Sequence, residues 1–204
     1  MIAMPGSSHA GPLPPLTDEQ RVLAARLRKH VFELAKSERN TDLVTPSRYI
    51  AATLVSYGLK PTFQSFPSGG RTVSNVEVSP PGNSFIVVGA HYDTVPGSPG
   101  ADDNASAVAA LIELAGMLGS EGLPIRFVAF VNEEMPYFLG PEMGSWNSAR
   151  RSRERGETVR AMISLEMLGY YRDEPRTQSY PPPLGLLYPD RANFIAFVGD
   201  LGAR

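Results

Sequence analysis

Three short apolar runs constrain the fold of this chain more than any other feature. They are "FIVVGA" (85–90), "IRFVAFV" (125–131) and "AMISL" (161–165). Runs of this kind predict strands that are buried on both faces. Helix-like sequences separate them, "SAVAALIELAGML" (106–118) and "MGSWNSARRSRERG" (143–156). Strands that alternate with helices predict a three-layer α/β/α fold with a largely parallel, mixed central sheet.

The N-terminal part of the chain sets the boundary of the domain. The chain has 204 residues, which is enough for one domain with its own core. Residues 1–16 are rich in Pro, Gly and Ser, and we expect them to form a mobile tail. The "TDEQ" motif at Thr17 predicts a capping box and so the first helix of a domain over residues 17–204. A second helix is predicted to have Thr45 as its cap and Pro46 at its first position.

Composition excludes several classes of function. The net charge of −2 argues against nucleic acid or an anionic membrane surface as a main partner. Cysteine is absent, which excludes disulfides and thiolate metal sites. No apolar stretch approaches the roughly 20 residues that span a bilayer, and the N-terminus lacks the basic-then-apolar order of a secretion signal. We expect a soluble protein without nucleic-acid or membrane partners, whose compartment, cytoplasmic or exported, stays open.

Chemically capable side chains follow each apolar run. His91 and Asp93 follow the first run, Glu133 and Glu134 the second, and Glu166 the third. Ligands of open α/β sheets bind beyond the carboxyl ends of the strands. We therefore expect these side chains to face one crevice.

The segment between His91 and Asp103 is rich in Gly and Pro, so it can fold the chain back and let both residues reach one ion. Several carboxylates in one crevice would repel each other without a cation. Imidazole and carboxylate ligands without thiolate suit zinc, or manganese or cobalt. Simpler interpretations stay open at this point, because a lone histidine can be structural and "DDNAS" can be a helix-capping cluster at Asp102 and Asp103.

Four segments together resemble the zinc aminopeptidases of peptidase family M28. They are "GAHYDTVPGSPGADDNASAVAALIELA", "FVAFVNEE", "PEMGSW" and "MISLEMLGYY". The resemblance extends from about the first helix to the chain end. It implies a zinc-peptidase-like fold with two zinc ions that share one aspartate.

The resemblance also implies a role for each site residue. It gives four metal ligands, which are His91, Asp103, Glu134 and Glu166. His91 and Glu166 would bind one zinc, Glu134 the other, and Asp103 both, with Glu166 standing where many family members have Asp. Asp93 would hydrogen-bond His91 and fix its ring, and Glu133 would be the general base. Some members have a cis peptide after the bridging aspartate, here Asp103–Asn104.

The implied activity is removal of N-terminal residues from peptides with a free N-terminus. The family pattern needs one more histidine ligand downstream, and this chain has no histidine after His91. Family domains also continue beyond the final "GDLGAR" of this sequence. We therefore expect a domain truncated at its C-terminal end. It would bind one zinc ion or none instead of two, and its activity would be impaired. It would also self-associate through uncovered sheet surface.

Two other functions remain as alternatives. A glutaminyl cyclase-like acyltransferase shares the fold and uses a single zinc. An inactive fragment that binds a metal or a partner would account for the absent ligand.

Overall fold

The computed structural model describes residues 11–186 and 188–199. The first ten residues of the predicted tail lie outside the described residues. The helices are α1 (Asp18–Leu34), α2 (Val44–Ser56), α3 (Ala107–Leu118) and α4 (Gly144–Glu154). The strands are β1 (Thr62–Ser68), β2 (Arg71–Val78), β3 (Ser84–His91), β4 (Ile125–Phe130) and β5 (Thr158–Ser164). A π-helical turn (Ala101–Ser106) leads into α3, and a 3-10 turn (Leu184–Leu186) follows β5.

The five strands form one mixed sheet in the order β1-β2-β4-β3-β5. β3 is parallel to β4 on one side and to β5 on the other. β1 and β2 extend the sheet through antiparallel pairing, β1 with β2 and β2 with β4. The predicted α/β fold with a mixed central sheet is confirmed, and its parallel part consists of the three strands that the apolar runs predict.

Helices cover both faces of the sheet. A large apolar cluster joins α1, α2 and α3 to one face, with Ile50 and Ile112 fully buried. Alternate residues of the strands point to the opposite face, where α4 packs across β2 and β5. The apolar cluster on that face consists of Phe85, Val87, Val128 and Phe130. Among the described residues, no helix is both long and apolar enough to cross a bilayer.

β5 differs from the prediction of a strand buried on both faces. All seven of its residues are exposed, and Met162 and Ile163 are 49% and 50% exposed. In the described part of the chain, β5 pairs with β3 along one edge and ends the sheet. An apolar run predicts burial only where neighbouring elements cover it, and little covers this edge strand.

The two N-terminal helices begin as local capping chemistry dictates. The Thr17 hydroxyl accepts a hydrogen bond from the Gln20 N–H, and the Gln20 side chain accepts one from the Thr17 N–H. The predicted capping box is therefore confirmed. The predicted start of α2, with Thr45 as cap and Pro46 at the first position, is wrong. The helix begins at Val44, and the Asp42 carboxylate accepts from both Val44 N and Thr45 N at 3.0 Å. A carboxylate is a stronger acceptor than a hydroxyl for the unpaired N–H groups and the positive end of a helix dipole.

Candidate metal centre

The end of β3 is the point at which the sheet can form a binding crevice. The chain leaves β3 to reach β4 on one side and later returns to β5 on the other side. Connections that diverge in this way open a crevice at the carboxyl end of the central strand. His91 is the last residue of β3 and is 4% exposed. The sheet thus places one buried imidazole at the centre of the crevice.

Carboxylates surround the His91 ring. Its Nε2 atom lies 3.1 Å from Asp103 Oδ1, 3.6 Å from Glu166 Oε1 and 3.9 Å from Glu133 Oε2. Its Nδ1 atom lies 3.6 Å from Asp93 Oδ1. Residues that follow three different strands therefore converge on one side chain.

Two groups of side chains have the spacing of metal ligands. His91, Asp103 and Glu166 offer ligand atoms that all lie within 4.8 Å of one another, and so do His91, Glu133 and Glu134. The first group consists of the residues that the family resemblance assigns to one zinc. The second group joins Glu134 to Glu133 and His91 rather than to Asp103. All the residues predicted for the site lie together, and the assignment of each to a particular ion remains a proposal.

Asp93 connects the end of β3 to the end of β4. It is buried, and its two carboxylate oxygens accept hydrogen bonds from the N–H groups of Glu133 and Glu134 at 3.1 and 3.0 Å. The carboxylate therefore fixes the backbone of both glutamates while one oxygen faces the His91 ring.

Asp102 and Asp103 point to different parts of the molecule. Asp102 accepts a hydrogen bond from Gly169 N at 2.8 Å and one from the Ser106 hydroxyl, so it fastens the loop after β5. Asp103 faces His91, and its peptide bond to Asn104 is cis, as the resemblance led us to expect. Neither aspartate forms a capping hydrogen bond at the π-helical turn or at α3, so the helix-capping interpretation is wrong.

Asn104 is a site residue that the sequence did not reveal. It is fully buried, and its amide donates to Glu166 Oε2 at 3.0 Å and to Leu165 O at 3.1 Å. Its Oδ1 atom accepts from Met167 N at 3.2 Å. Asn104 thus orients Glu166 from a position next to Asp103. The one sequence feature that pointed to Asn104 is its place directly after the aspartate pair. Asparagine at such a place also suits an ordinary turn.

The other histidines have different surroundings. The buried His30 contacts Glu113 Oε1 at 3.0 Å and Tyr49 Oη at 2.6 Å, between α1, α2 and α3. His9 lies outside the described residues. Within the described part of the chain, His91 is the histidine of the centre.

The electrostatics of the site favour a bound cation. Burial lowers the pKa of His91, but the nearby carboxylates of Asp93 and Glu166 outweigh it and raise the pKa to about 10. Burial raises the pKa of Asp103, Glu133 and Glu134, and neighbouring carboxylates raise it further against the opposing effect of His91. These carboxylates therefore destabilise one another's charged forms, and a cation would relieve that repulsion.

The donor atoms fit zinc. Asp103 Oδ1 is buried and close to His91 Nε2, yet it forms no hydrogen bond with any described residue, and the same holds for His91 Nδ1. Buried polar atoms without partners are rare, and a bound ion is one explanation for them. One imidazole nitrogen with carboxylate oxygens is a donor set that zinc accepts. The residues at the centre are therefore chemically suited to hold the ion.

A buried imidazole ringed by carboxylates at the carboxyl end of β3 is an arrangement that suits a metal centre in an α/β/α fold. The model of Peptidase family M28 matches residues 73–191, which include every predicted site residue. The chain belongs to peptidase family M28.

Individual relatives agree with the family. The chain is 41% identical over 181 residues to the uncharacterized protein YfbL of Escherichia coli (strain K12), covering 81% of this chain and 55% of YfbL. It is 48% identical over 87 residues to aminopeptidase YwaD of Bacillus subtilis (strain 168), covering 42% of this chain and 18% of YwaD. The chain thus spans about half the length of YfbL, and a smaller part of YwaD is matched.

Solved structures share the fold. The LapA aminopeptidase of Legionella pneumophila superposes with a TM-score of 0.59 at 22% identity, covering 81% of this chain and 50% of LapA. A glutaminyl cyclase of Bacteroides thetaiotaomicron superposes with a TM-score of 0.57 at 22% identity, covering 75% of this chain and 62% of the cyclase. Because both kinds of enzyme adopt this fold, the fold alone does not choose between their reactions.

Proposed function

We propose that this chain is the catalytic portion of a zinc-dependent aminopeptidase-type hydrolase that removes N-terminal residues from peptides. The observation that carries the proposal is the convergence of His91, Asp103 and Glu166 with Glu133 and Glu134 at the end of β3. Membership of a peptidase family supports hydrolysis as the reaction.

His91, Asp103 and Glu166 would hold one zinc ion, and Glu134 with Asp103 would hold a second. A bound zinc ion supplies Lewis acidity, which polarises a peptide carbonyl and lowers the pKa of a water molecule. Three protein ligands suffice for a catalytic zinc site, whereas two hold an ion weakly. We therefore expect one firmly bound zinc, a weakly bound second zinc, and reduced peptidase activity for these residues by themselves.

Glu133 is the proposed general base. Burial and the neighbouring carboxylates raise its pKa, which brings it closer to the range useful for proton transfer near neutral pH. It lines a cavity of about 90 Å³ together with His91 and Glu166. From this position Glu133 would accept the proton of the attacking water and pass it to the leaving amine.

The charge of the crevice favours substrates with a free N-terminus. Glu133 and Glu166 line the cavity, and Glu134 lies close to Glu133 and His91. These carboxylates would attract an α-ammonium group but not an acetylated N-terminus. Asp93 holds Glu133 and Glu134 in place through their backbone N–H groups. Trimming from the N-terminus is therefore the expected mode of cleavage, with peptides as the partner class.

The test compares wild type with Glu133→Gln in zinc-containing buffer, on a peptide with a free N-terminus and on its N-acetylated form. Loss of the general base predicts a fall in kcat of about 10²–10⁴-fold with zinc binding retained. Glu121→Gln, which changes an exposed carboxylate, is the matched control and keeps wild-type activity. Equal cleavage of the acetylated peptide, or full activity in Glu133→Gln, would contradict the proposal.

The same samples distinguish the alternatives. If the chain cyclises a peptide with N-terminal glutamine and does not hydrolyse it, the function is that of a glutaminyl cyclase-like acyltransferase and not of a peptidase. A chain that binds neither zinc nor substrate would be an inactive or partner-binding fragment.

A further inference from the structure

Arg39 is a buried cation outside every motif of the proposed active site. It lies between α1 and α2 and is 1% exposed. Its guanidinium donates hydrogen bonds to four backbone carbonyls: Leu34 O at 2.7 Å, Tyr92 O at 2.7 Å, Pro99 O at 2.6 Å and Gly100 O at 2.9 Å. The side chain thus uses its planar array of donors as a clamp on the backbone.

Three of these carbonyls belong to the segment that connects His91 to Asp103. Tyr92 directly follows His91, while Pro99 and Gly100 lie just before Asp103 in the chain. The backbone N–H of Arg39 also donates to the Thr94 hydroxyl at 2.8 Å. Arg39 therefore joins both ends of the segment 92–100, which otherwise contains no helix or strand.

Gly100, one of the residues that Arg39 clamps, lies close to the backbone of Asp103. Gly100 adopts a left-handed conformation (φ 58°), and a Cβ atom there would lie 2.2 Å from Asp103 O and 2.9 Å from Arg39 Nη2. Gly100 thus has no room for a side chain between the guanidinium and the Asp103 carbonyl, and a displacement of Arg39 is expected to disturb the backbone near Asp103.

The charge of Arg39 has no local counterion among the described residues, since none of the described ion pairs within 4.0 Å involves it. Burial lowers its pKa to about 10, while Asp93 and Asp103 raise it, so the guanidinium stays charged at neutral pH. A buried cation is costly unless its donors are satisfied and opposite charge is near. The four carbonyls satisfy the donors of Arg39, and the carboxylates of the metal centre provide the opposite charge at longer range.

We propose that Arg39 is a positioning residue of the metal centre: by tying Tyr92 to Pro99 and Gly100, it sets the separation of His91 and Asp103. The inference rests on the proposed function and extends it to a residue that touches neither ion nor substrate. His91 Nε2 and Asp103 Oδ1 lie 3.1 Å apart, and Arg39 bonds to both ends of the segment that connects these two residues. Groups that orient metal ligands typically contribute about 10–100-fold to metal affinity.

Zinc affinity measured by competition with a chromogenic chelator tests the role of Arg39. The variants are Arg39→Lys and Arg39→Met, and Arg126→Met is the matched control. Arg126 is also buried, but it bonds to Glu157 and Ser152 from the opposite end of β4. Circular dichroism and hydrogen exchange over residues 92–100 accompany each titration.

We expect both Arg39 variants to weaken zinc binding by about 10–100-fold, with faster exchange confined to residues 92–100. Lysine keeps the charge but concentrates its donors at one atom, so it cannot reach all the carbonyls and does not restore affinity. Arg126→Met loses stability and keeps zinc affinity within about twofold. Where Arg39→Met does not fold, Arg39→Lys decides the question.

Two outcomes separate the inference from the proposed function. Zinc binding by wild type with unchanged affinity in folded Arg39→Lys overturns the role of Arg39 and leaves the proposed function intact. A folded wild type that binds no zinc overturns both. Equal loss of zinc affinity in the Arg126→Met control would also overturn the role, because the effect would then be one of general stability.

Discussion

Asp102 and Asp103 are adjacent in sequence, yet their surroundings predict opposite effects on stability and on metal binding. Asp102 secures the loop after β5, whereas Asp103 faces His91 among other carboxylates. We consider Asp102→Ala and Asp103→Asn, which change one carboxylate each and leave the other in place.

Asp102→Ala removes two hydrogen bonds, one from Gly169 N at 2.8 Å and a longer one from the Ser106 hydroxyl at 3.3 Å. A hydrogen bond to a charged group contributes up to about 3 kcal/mol when buried, and we reduce this to about 1 kcal/mol because Gly169 is exposed. For a chain of this size, that corresponds to a fall in Tm of about 2–4 °C. Zinc affinity stays close to that of wild type.

For Asp103→Asn, we expect the opposite result: stability is kept and zinc affinity is lost. Burial and the neighbouring carboxylates raise the pKa of Asp103, which means that the fold disfavours its charge. Removal of that charge therefore leaves the metal-free chain as stable as wild type or slightly more stable. Zinc affinity falls by more than about 100-fold, since the residue is a proposed ligand rather than a supporting group.

Thermal denaturation with a chelator present and zinc titration without it measure the two effects separately. The reasoning is refuted if Asp102→Ala loses zinc while Asp103→Asn retains it, or if both variants lose stability and affinity together. A control, Asp18→Ala in the exposed first turn of α1, should leave zinc affinity unchanged.

Three further predictions concern parts of the molecule away from the centre. Glu113→Ala should lower the free energy of unfolding by about 3 kcal/mol in urea denaturation and leave zinc affinity unchanged, because this buried carboxylate accepts hydrogen bonds from three side chains; a loss below 1 kcal/mol would contradict it. Hydrogen bonds from Arg126 lower the pKa of Glu157, so the stability that Glu157 contributes is present above its unfolded-state pKa and is lost as pH falls through its lower folded-state pKa. Glu157→Gln should therefore be less stable than wild type at pH 7 and converge with it in acid, and parallel curves would exclude this linkage. The exposed strand β5 should cause concentration-dependent self-association that Ile163→Lys reduces, and sedimentation of a wild-type monomer at every concentration would rule it out.

The sequence predicted the parts of the fold that depend on short-range pattern and simple topology. The runs that became β3 and β4 have apolar residues on both faces, and both are buried in the sheet. Because β3, β4 and β5 are parallel, the polar residues that follow them had to meet at one edge. His91, Asp103 and Glu166 lie together for that reason.

Features that depend on distant parts of the chain could not be predicted in the same way. Arg39 is in an irregular stretch, and three of its four carbonyl acceptors lie 53–61 residues further along the chain, so no local pattern indicates it. Asn104 acts through Glu166, which is 62 residues away. The burial of β5 was predicted wrongly because apolar content does not say which neighbours will cover a strand. The start of α2 was misplaced because Asp42 and Thr45 can both accept from the first N–H groups of a helix, and only the folded geometry selects Asp42.

The most direct test of the proposed centre is the amount of bound transition metal per chain, measured by elemental analysis after purification without chelator and dialysis from excess zinc. We predict one equivalent of firmly bound zinc in wild type and its loss in His91→Ala, with any second equivalent removed more readily by dialysis. No bound metal in a folded wild-type chain, or equal metal content in folded His91→Ala, would contradict a metal centre at the end of β3.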